Sequence, residues 1–406
     1  MPRHETGAQA ATKAGDGIRS RPRAALPALC VTQITSWGIL YYAFPVLLPR
    51  LSEDTGWSTT AATAAFSAAL LVSALAGIPL GRVLDRRGPR AVMTAGSALG
   101  TACVLAVATA PTLPVFVAAW LCTGVAMAAT FYPPAFAALT RWWGPDRVRA
   151  LTIVTLAGGL ASTLFAPLSA ALAEHLGWRG TYIVLAAVLA LVTVPAHALA
   201  LRAPWPPAPA PVSGPVEHRR TPVARTGPFL MLAAAMTLSA LTVHAVVIGV
   251  VPLMTERGAT PTQAAWALGL GGLGQTLGRL GYAPLARRTG ATARTVTLIA
   301  AGGVTTTALA LVPGPIPVLV ALSVVAGMVR GNLTLLQATA VTDRWGTRHY
   351  GRLTGLLSAP ITLATGLAPF TATALAGPLG GHTHLFLALA TLSFTGAVLA
   401  LRANDT

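Results

Sequence analysis

Two arginines interrupt long segments of this 406-residue chain that hold no other charged side chain. Arg279 lies within residues 263–285, and Arg330 lies within residues 316–341. A guanidinium group stays protonated in proteins, and its planar fork of N–H donors matches the geometry of a carboxylate. The residue type and its apolar setting therefore predict that Arg279 and Arg330 bind a small organic anion.

The distance of each arginine from the next charged loop places both near the middle of a membrane. Arg279 precedes Arg287 by eight residues, about 12 Å along a helix, and Arg330 precedes Asp343 by thirteen residues, about 20 Å. A charge at mid-membrane costs about 2.5–3.5 kcal/mol on insertion scales, so it is seldom kept without a function. Every acidic residue falls in a loop or at an interface in this interpretation, which leaves the counter-ion to be supplied by the substrate.

Each arginine also has a structural alternative. Arg279 could extend towards the lipid headgroups or bond to carbonyl groups at a helix end. Arg330 lies between Gly327 and Gly331, which could mark a tightly packed helix crossing. Gln275, four residues before Arg279, is counted with the arginines as a substrate-binding residue.

Aromatic residues and one histidine are further candidates. Trp37, Tyr41 and Tyr42, near Gly38 in the first apolar segment, are predicted to line a binding cavity, although helix packing would also explain them. His244 is the only histidine deep in a predicted span and titrates near neutral pH, so it is the candidate for proton coupling. A hydrogen-bonded interior histidine is its structural alternative. The residues from Phe131 to Pro134 predict a helix bend.

The composition requires a membrane around these residues. Hydrophobic residues make up 54% of the chain and charged residues 10%, against about 25% charged residues in soluble domains. The net charge of +17 does not indicate a nucleic-acid binder, because the basic residues are dispersed over short loops. We predict an all-α membrane protein whose twelve spans cover about residues 25–48, 61–80, 91–111, 113–139, 150–172, 180–201, 229–252, 263–285, 293–312, 316–341, 352–375 and 383–401.

The spans divide into two six-helix bundles. We predict a disordered basic tail at 1–24, a first bundle at 25–201, a proline- and arginine-rich linker at 202–228 and a second bundle at 229–402. Basic residues concentrate in the tail, the linker and alternate loops, which places both termini in the cytoplasm. We expect a monomer in the lipid bilayer. Cys30, Cys103 and Cys122 lack paired spacing, so neither a disulfide nor a metal site is indicated.

A charged motif between the second and third spans carries a family resemblance. Gly81, Asp85, Arg86, Gly88 and Arg90 match the pattern Gly-x-x-x-Asp-Arg-x-Gly-x-Arg. In this place the pattern resembles the signature loop of the major facilitator superfamily of transporters. We predict that the ten residues form a tight, solvated turn that controls conformational change. The alternative is a basic turn that only sets topology.

The resemblance implies a conformational lock in the first half. It implies that Asp85 faces the positive end of the eleventh helix and holds the two halves together when the cavity opens outward. In the second half the motif has decayed, since Arg287 stands where Asp85 would be and Ala283 where Gly81 would be. A second lock of the same kind is therefore not expected.

The segment from Gly274 to Arg279 resembles the eighth span of the monocarboxylate transporters and the bacterial oxalate/formate exchangers. The resemblance implies that Arg279 grips a substrate carboxylate, and that the protein lies in the cytoplasmic membrane of a bacterium. Two features depart from those families. Gln275 replaces an acid of the proton-coupled monocarboxylate transporters. The lysine that these transporters have in span 1 and the exchangers have in span 11 is also missing, since Lys13 in the tail is the only lysine. Arg330 supplies a second cation instead, for a second carboxylate or in place of the lysine.

These observations predict a transporter of a mono- or dicarboxylate that works by alternating access, without a cofactor. One alternative is a proton-coupled exporter of drugs or metabolites, but neither the first nor the fourth span contains the acid that such exporters use. Another alternative is a transporter-like sensor that binds without translocating. We do not expect an enzyme, because the sequence lacks an acid–base or metal cluster.

Overall fold

The computed structural model describes residues 22–205, 222–345 and 350–403, and all regular secondary structure in these residues is helical. Residues 1–21 of the predicted disordered tail and most of the predicted linker lie outside the described residues. We number the long helices α1 (Ala25–Thr55), α2 (Thr59–Arg87), α3 (Pro89–Thr109), α4 (Leu113–Trp143), α5 (147–176), α6 (178–200), α7 (Gly227–Glu256), α8 (Pro261–Arg288), α9 (Ala291–Leu311), α10 (Ile316–Thr339), α11 (Tyr350–Ala376) and α12 (His382–Arg402).

The twelve predicted spans correspond to these helices. Ten helices of the described chain are long and apolar enough to cross a membrane, and one of them covers residues 149–200. Gly177, with φ 64° and ψ 179°, divides that helix into α5 and α6. Helix α8 has 28 residues but is less apolar, because it contains many glycines and three arginines. The all-helical, twelve-span prediction is therefore confirmed.

The helices other than α10 extend beyond the predicted spans at one or both ends, because about 20 residues already cross the hydrocarbon core and a longer helix continues into the interface. Helix α10 ends at Thr339, before the predicted end at 341. The clearest correction concerns the signature motif, residues 81–90. It is not a ten-residue turn, since α2 continues to Arg87 and α3 begins at Pro89. Gly88 alone forms the reversal, at φ 77° and ψ 172°, and it has this freedom because it lacks a Cβ. Helix α7 also begins at Gly227, before the predicted start at 229.

The two halves meet mainly along two helix pairs, α2 with α11 and α5 with α8, and α1 also touches α7. Between α2 and α11, the Thr63 hydroxyl bonds to that of Thr373, and the Phe370 N–H donates to Ser67 Oγ at 2.9 Å. Between α5 and α8, the Thr262 hydroxyl donates to the Glu174 carboxylate. We call the end of the molecule that holds these contacts the sealed end.

The opposite end carries the signature motif, and we call it the charged end. The Arg141 guanidinium, at the end of α4, donates to Asp85 Oδ1 at 2.5 Å. Trp205, just after α6, stacks over the same guanidinium at 4.4 Å, and its indole N–H donates to the Asp85 carbonyl at 3.0 Å. In this conformation Asp85 is therefore held within the first half. Its contact with α11 in an outward-open state stays a prediction.

The second half contains an ion pair of reversed polarity at the charged end. Arg294, at the start of α9, pairs with Asp343, which follows α10. The Arg294 side chain is almost fully buried, and its guanidinium also donates to the Thr289 carbonyl at 3.1 Å. In the first half the acid lies on α2 and the arginine at the end of α4, whereas in the second half the arginine lies on α9 and the acid follows α10. Arg294 lies two positions beyond the segment that aligns with the motif, so this pair stands beside the decayed motif and is not a copy of it.

Candidate functional site

A cavity of about 610 Å³ lies between the two halves. Residues from α1, α2, α4, α5, α7, α8, α10 and α11 line it, and they include all the predicted substrate-binding residues and His244. None of the described residues that line the cavity is acidic. The predicted substrate-binding residues and His244 therefore meet in one cavity, although Trp37 and Arg330 are 293 positions apart in the sequence.

A close crossing of α8 and α10 positions the cationic wall. A Cβ on Gly274 or Gly278 of α8 would collide with the carbonyl of Val324 or Met328 on α10. Conversely, a Cβ on Gly331 of α10 would collide with the carbonyl of Gln275 on α8. Only glycine permits backbones to approach this closely. The crossing that was predicted as the structural alternative for Arg330 therefore exists, and it brings Arg330 to the cavity wall.

Arg330 is held by a neutral partner. Its Nε–H donates to Gln275 Oε1 at 3.1 Å. Its Nη2 is buried and has no hydrogen-bond partner among the described residues. An amide oxygen satisfies one donor but does not neutralise the charge. Arg330 therefore presents a guanidinium that is oriented by Gln275 and keeps its full positive charge in the cavity wall.

Arg279 lies at the contact between the halves. Its Nη1 donates to the Thr155 carbonyl on α5 at 2.5 Å, and its Nε is buried without a partner in the described part of the chain. The Tyr132 hydroxyl and the Arg279 guanidinium lie against adjacent residues of α5, Gly158 and Gly159. Arg279 thus bonds a backbone carbonyl, but Thr155 lies within α5 and not at the helix end that the structural alternative named. The Arg279 side chain lines the cavity wall.

His244 lies on α7 beside the cationic wall. Its Nδ1 bonds to the Ala240 carbonyl at 2.8 Å, which makes Nδ1 the donor in the neutral ring and leaves Nε2 as the acceptor. His244 lies within electrostatic range of Arg330, and it lines the cavity. His244 therefore has both predicted properties, since it forms an interior hydrogen bond and also lines the cavity.

A π-helical turn in α1 places three aromatic residues on one wall. In an α-helix successive residues are about 100° apart, so Tyr42 would lie about 140° from Trp37 and face away from it. Residues Gly38–Tyr42 form a π-helix instead, and the extra residue in the turn lets Trp37, Tyr41 and Tyr42 all line the cavity. The Trp37 indole N–H and the Tyr41 hydroxyl are buried without a hydrogen-bond partner in the described residues.

Helix α4 adds to the aromatic wall at its predicted bend. Phe131 has an extended backbone, with φ −75° and ψ −166°, and separates the two parts of α4. Its ring stacks on Trp37 with centroids 4.0 Å apart, and Tyr132 lies 5.3 Å from Trp37. The sequence indicated the bend but not the site, since Phe131 and Tyr132 were interpreted as structural. Both of them line the cavity.

The model of the Major Facilitator Superfamily matches this chain twice, over residues 29–245 and 230–405. Among curated proteins, Monocarboxylate transporter 11 of Homo sapiens is 27% identical over an alignment of 397 residues that covers 90% of this chain and 79% of the human protein. Monocarboxylate transporter 13 of Bos taurus is 32% identical over 206 residues, 50% of this chain. That match spans only 47% of the bovine protein.

Among solved structures, a bacterial homologue of the human lysosomal transporter Spinster has the same fold. Its inward-facing, unoccupied form aligns with a TM-score of 0.76 at 16% identity, covering 96% of this chain and all of the other. The inward-facing, occupied form aligns with a TM-score of 0.70 at 14% identity, covering 93% of this chain and 94% of the other. At these identities the likeness shows the fold alone.

Proposed function

This chain belongs to the major facilitator superfamily, and from that membership we propose that it carries a small organic anion, a mono- or dicarboxylate, across the membrane by alternating access. The observation that supports this proposal is the pair of guanidinium groups, Arg279 and Arg330, in a cavity whose described lining contains no acid. The names of the curated relatives, which are monocarboxylate transporters, agree with the same substrate class.

The charges of the site suggest how binding is coupled to movement. With the cavity empty, Arg279 and Arg330 lie within electrostatic range of each other and repel. A carboxylate between them neutralises part of this charge and lowers the free energy of drawing the halves together. Arg279 already bonds to α5 of the other half through Thr155, so an anion on Arg279 lies at the contact that must change when the cavity switches sides.

We propose that the protein works as a monomer in the cytoplasmic membrane of a bacterium, with both termini in the cytoplasm. The basic residues of the charged end support this orientation, because loops rich in arginine are retained in the cytoplasm. The charged end is then the cytoplasmic end, and the cavity of this conformation is open to the cytoplasm. In this proposal, Gly81, Asp85, Arg86, Gly88 and Arg90 form the gating motif that re-pairs when the charged end closes.

Transport and binding are tested separately. Purified protein is screened by thermal shift against mono- and dicarboxylates, and against neutral and cationic compounds of similar size. We expect carboxylates to stabilise the wild type and to have little effect on Arg279→Gln. Counterflow in proteoliposomes then shows translocation. Stabilisation by cations or neutral compounds alone would refute the anion assignment, and binding without counterflow would indicate a sensor.

Arg330 is tested by substrate charge. If Arg330 holds a second carboxylate, Arg330→Gln should reduce counterflow of dicarboxylates several-fold more than that of monocarboxylates. If Arg330 replaces the missing span lysine on a single carboxylate, both losses should be equal. An unchanged activity towards both classes would show that Arg330 serves only the α8–α10 crossing.

A further inference from the structure

The two walls of the cavity differ in chemistry. The wall from the first half presents partly exposed rings of Trp37, Tyr42 and Tyr132, and the buried rings of Tyr41 and Phe131 support them. The ring centroids of Tyr41 and Tyr42 are 5.1 Å apart. These rings belong to α1 and α4, and the π turn and the Phe131 bend direct them to the same side. The aromatic wall therefore depends on two local departures from regular helix.

The wall from the second half carries the cations, and the two walls adjoin. Arg330 lines the same cavity as Tyr41 and Tyr42, and Tyr132 and Arg279 lie against the adjacent Gly158 and Gly159 of α5. Each guanidinium thus has an aromatic neighbour from the opposite half. A ligand that bonds a guanidinium through a carboxylate would place the group attached to that carboxylate beside these rings.

On the basis of the proposed function, we propose that the substrate is an aromatic carboxylate. Its carboxylate bonds Arg279 or Arg330, and its ring packs against Trp37, Tyr42 and Tyr132. Aromatic pairs gain stability from offset or edge-to-face contacts beyond the burial of area. A cavity of about 610 Å³ has room for such a ring. A two- or three-carbon acid would leave the aromatic wall without contact.

Three matched acids test the ring. The dissociation constants of benzoate, cyclohexanecarboxylate and propionate are measured on the purified full-length protein by calorimetry. Benzoate and cyclohexanecarboxylate share the charge and have similar volume, so their difference isolates aromaticity. We expect benzoate to bind about fivefold more tightly than cyclohexanecarboxylate, from the usual strength of one aromatic pair. Propionate should bind most weakly.

Variants of the aromatic wall locate the effect. Trp37→Leu should reduce the affinity for benzoate several-fold more than the affinity for propionate, and Trp37→Phe should retain most of the preference. Tyr132→Leu provides the same comparison from α4 if Trp37→Leu does not fold. Equal losses for benzoate and propionate in a folded variant would contradict a stacking role.

The outcomes separate the two proposals. If none of the three acids nor any other carboxylate binds, the proposed function fails and this inference fails with it. If propionate binds as tightly as benzoate, or cyclohexanecarboxylate equals benzoate, the anion transporter stands and only the aromatic substrate is refuted. If benzoate binds most tightly and propionate most weakly, and Trp37→Leu loses this order of affinities, the result supports both proposals.

Discussion

Gln275 decides the charge balance of the cavity at the scale of single residues. It accepts the Arg330 Nε–H at 3.1 Å, at the place where the proton-coupled monocarboxylate transporters that this segment resembles have an acid. A carboxylate there would form an ion pair with Arg330 and compete with the substrate. The neutral amide orients the guanidinium and leaves its charge available.

Exchanging this amide for an acid should therefore weaken anion binding. We expect Gln275→Glu to raise the dissociation constant for carboxylates at least about tenfold, because a partly buried pair of opposite charges is worth several kcal/mol before desolvation. Gln263→Glu is the control, since it makes the same exchange on the same helix, at the exposed capping box of the sealed end. Similar affinities for the two variants would contradict the role of Gln275.

His244 is the candidate for proton coupling, and Arg330 is the charged group within its range among the described residues. We expect His244→Gln to reduce accumulation driven by a pH gradient at least tenfold more than it reduces counterflow, because counterflow requires no net proton movement. Proteoliposomes with and without a pH gradient supply both measurements. Equal reductions would assign His244 to substrate binding or structure, and undiminished accumulation would assign the proton to another group or to the substrate.

At the scale of elements, the crossing of α8 and α10 controls where Arg330 and Gln275 lie. We expect Gly331→Ala to destabilise the protein by about 1–3 kcal/mol, because its Cβ would collide with the Gln275 carbonyl. Thermal unfolding in detergent measures the change. Gly281→Ala on α8 is the control, since no atom lies within 4 Å of its added Cβ. A Gly331→Ala protein as stable as the control would show that the helices separate at little cost.

The start of the linker fastens the signature motif. Trp205 forms a cation–π pair with Arg141 and donates a hydrogen bond to the Asp85 carbonyl. A cation–π pair stabilises a protein by about 0.5–1 kcal/mol and a hydrogen bond by about 1 kcal/mol. We expect Trp205→Ala to speed hydrogen exchange of the amides in 81–90. The control is Trp266→Ala, which removes a partly exposed tryptophan of α8. Unchanged exchange in Trp205→Ala would show that the motif is held without the linker.

The sequence allows the helices and their charged residues to be predicted more reliably than the local geometry of each helix. A charge in an apolar run is visible without coordinates, so Arg279 and Arg330 are identifiable. The π turn at Gly38–Tyr42 has no comparable signal, because the insertion of one residue changes neither hydropathy nor helix propensity. The Arg294–Asp343 pair joins residues 49 positions apart, and only the packing of α9 against the end of α10 brings them together. Tyr132 was assigned to a bend for the same reason, since its neighbours Trp37 and Arg279 come from other helices.

At the scale of the whole molecule, the contacts of the sealed end must break during transport. We expect the pair Thr63→Cys and Thr373→Cys, in a protein without Cys30, Cys103 and Cys122, to form a disulfide that stops counterflow. Reductant should restore it. The control pair is Glu256→Cys and His382→Cys. The two native side chains hydrogen-bond to each other at the same end of the molecule, within the second half. Continued counterflow with the Thr63–Thr373 disulfide formed would show that the halves need not part there.

The π turn of α1 also affects how this chain is compared with others. One extra residue in the turn puts the two parts of the helix out of phase with a regular helix, so a related chain without it would carry one residue fewer inside the span. A pairwise alignment that allows gaps only in loops would then shift every position on one side of Gly38 by one residue. Loss of a single codon here would rotate half of a transmembrane helix, whereas most single substitutions would leave its orientation unchanged.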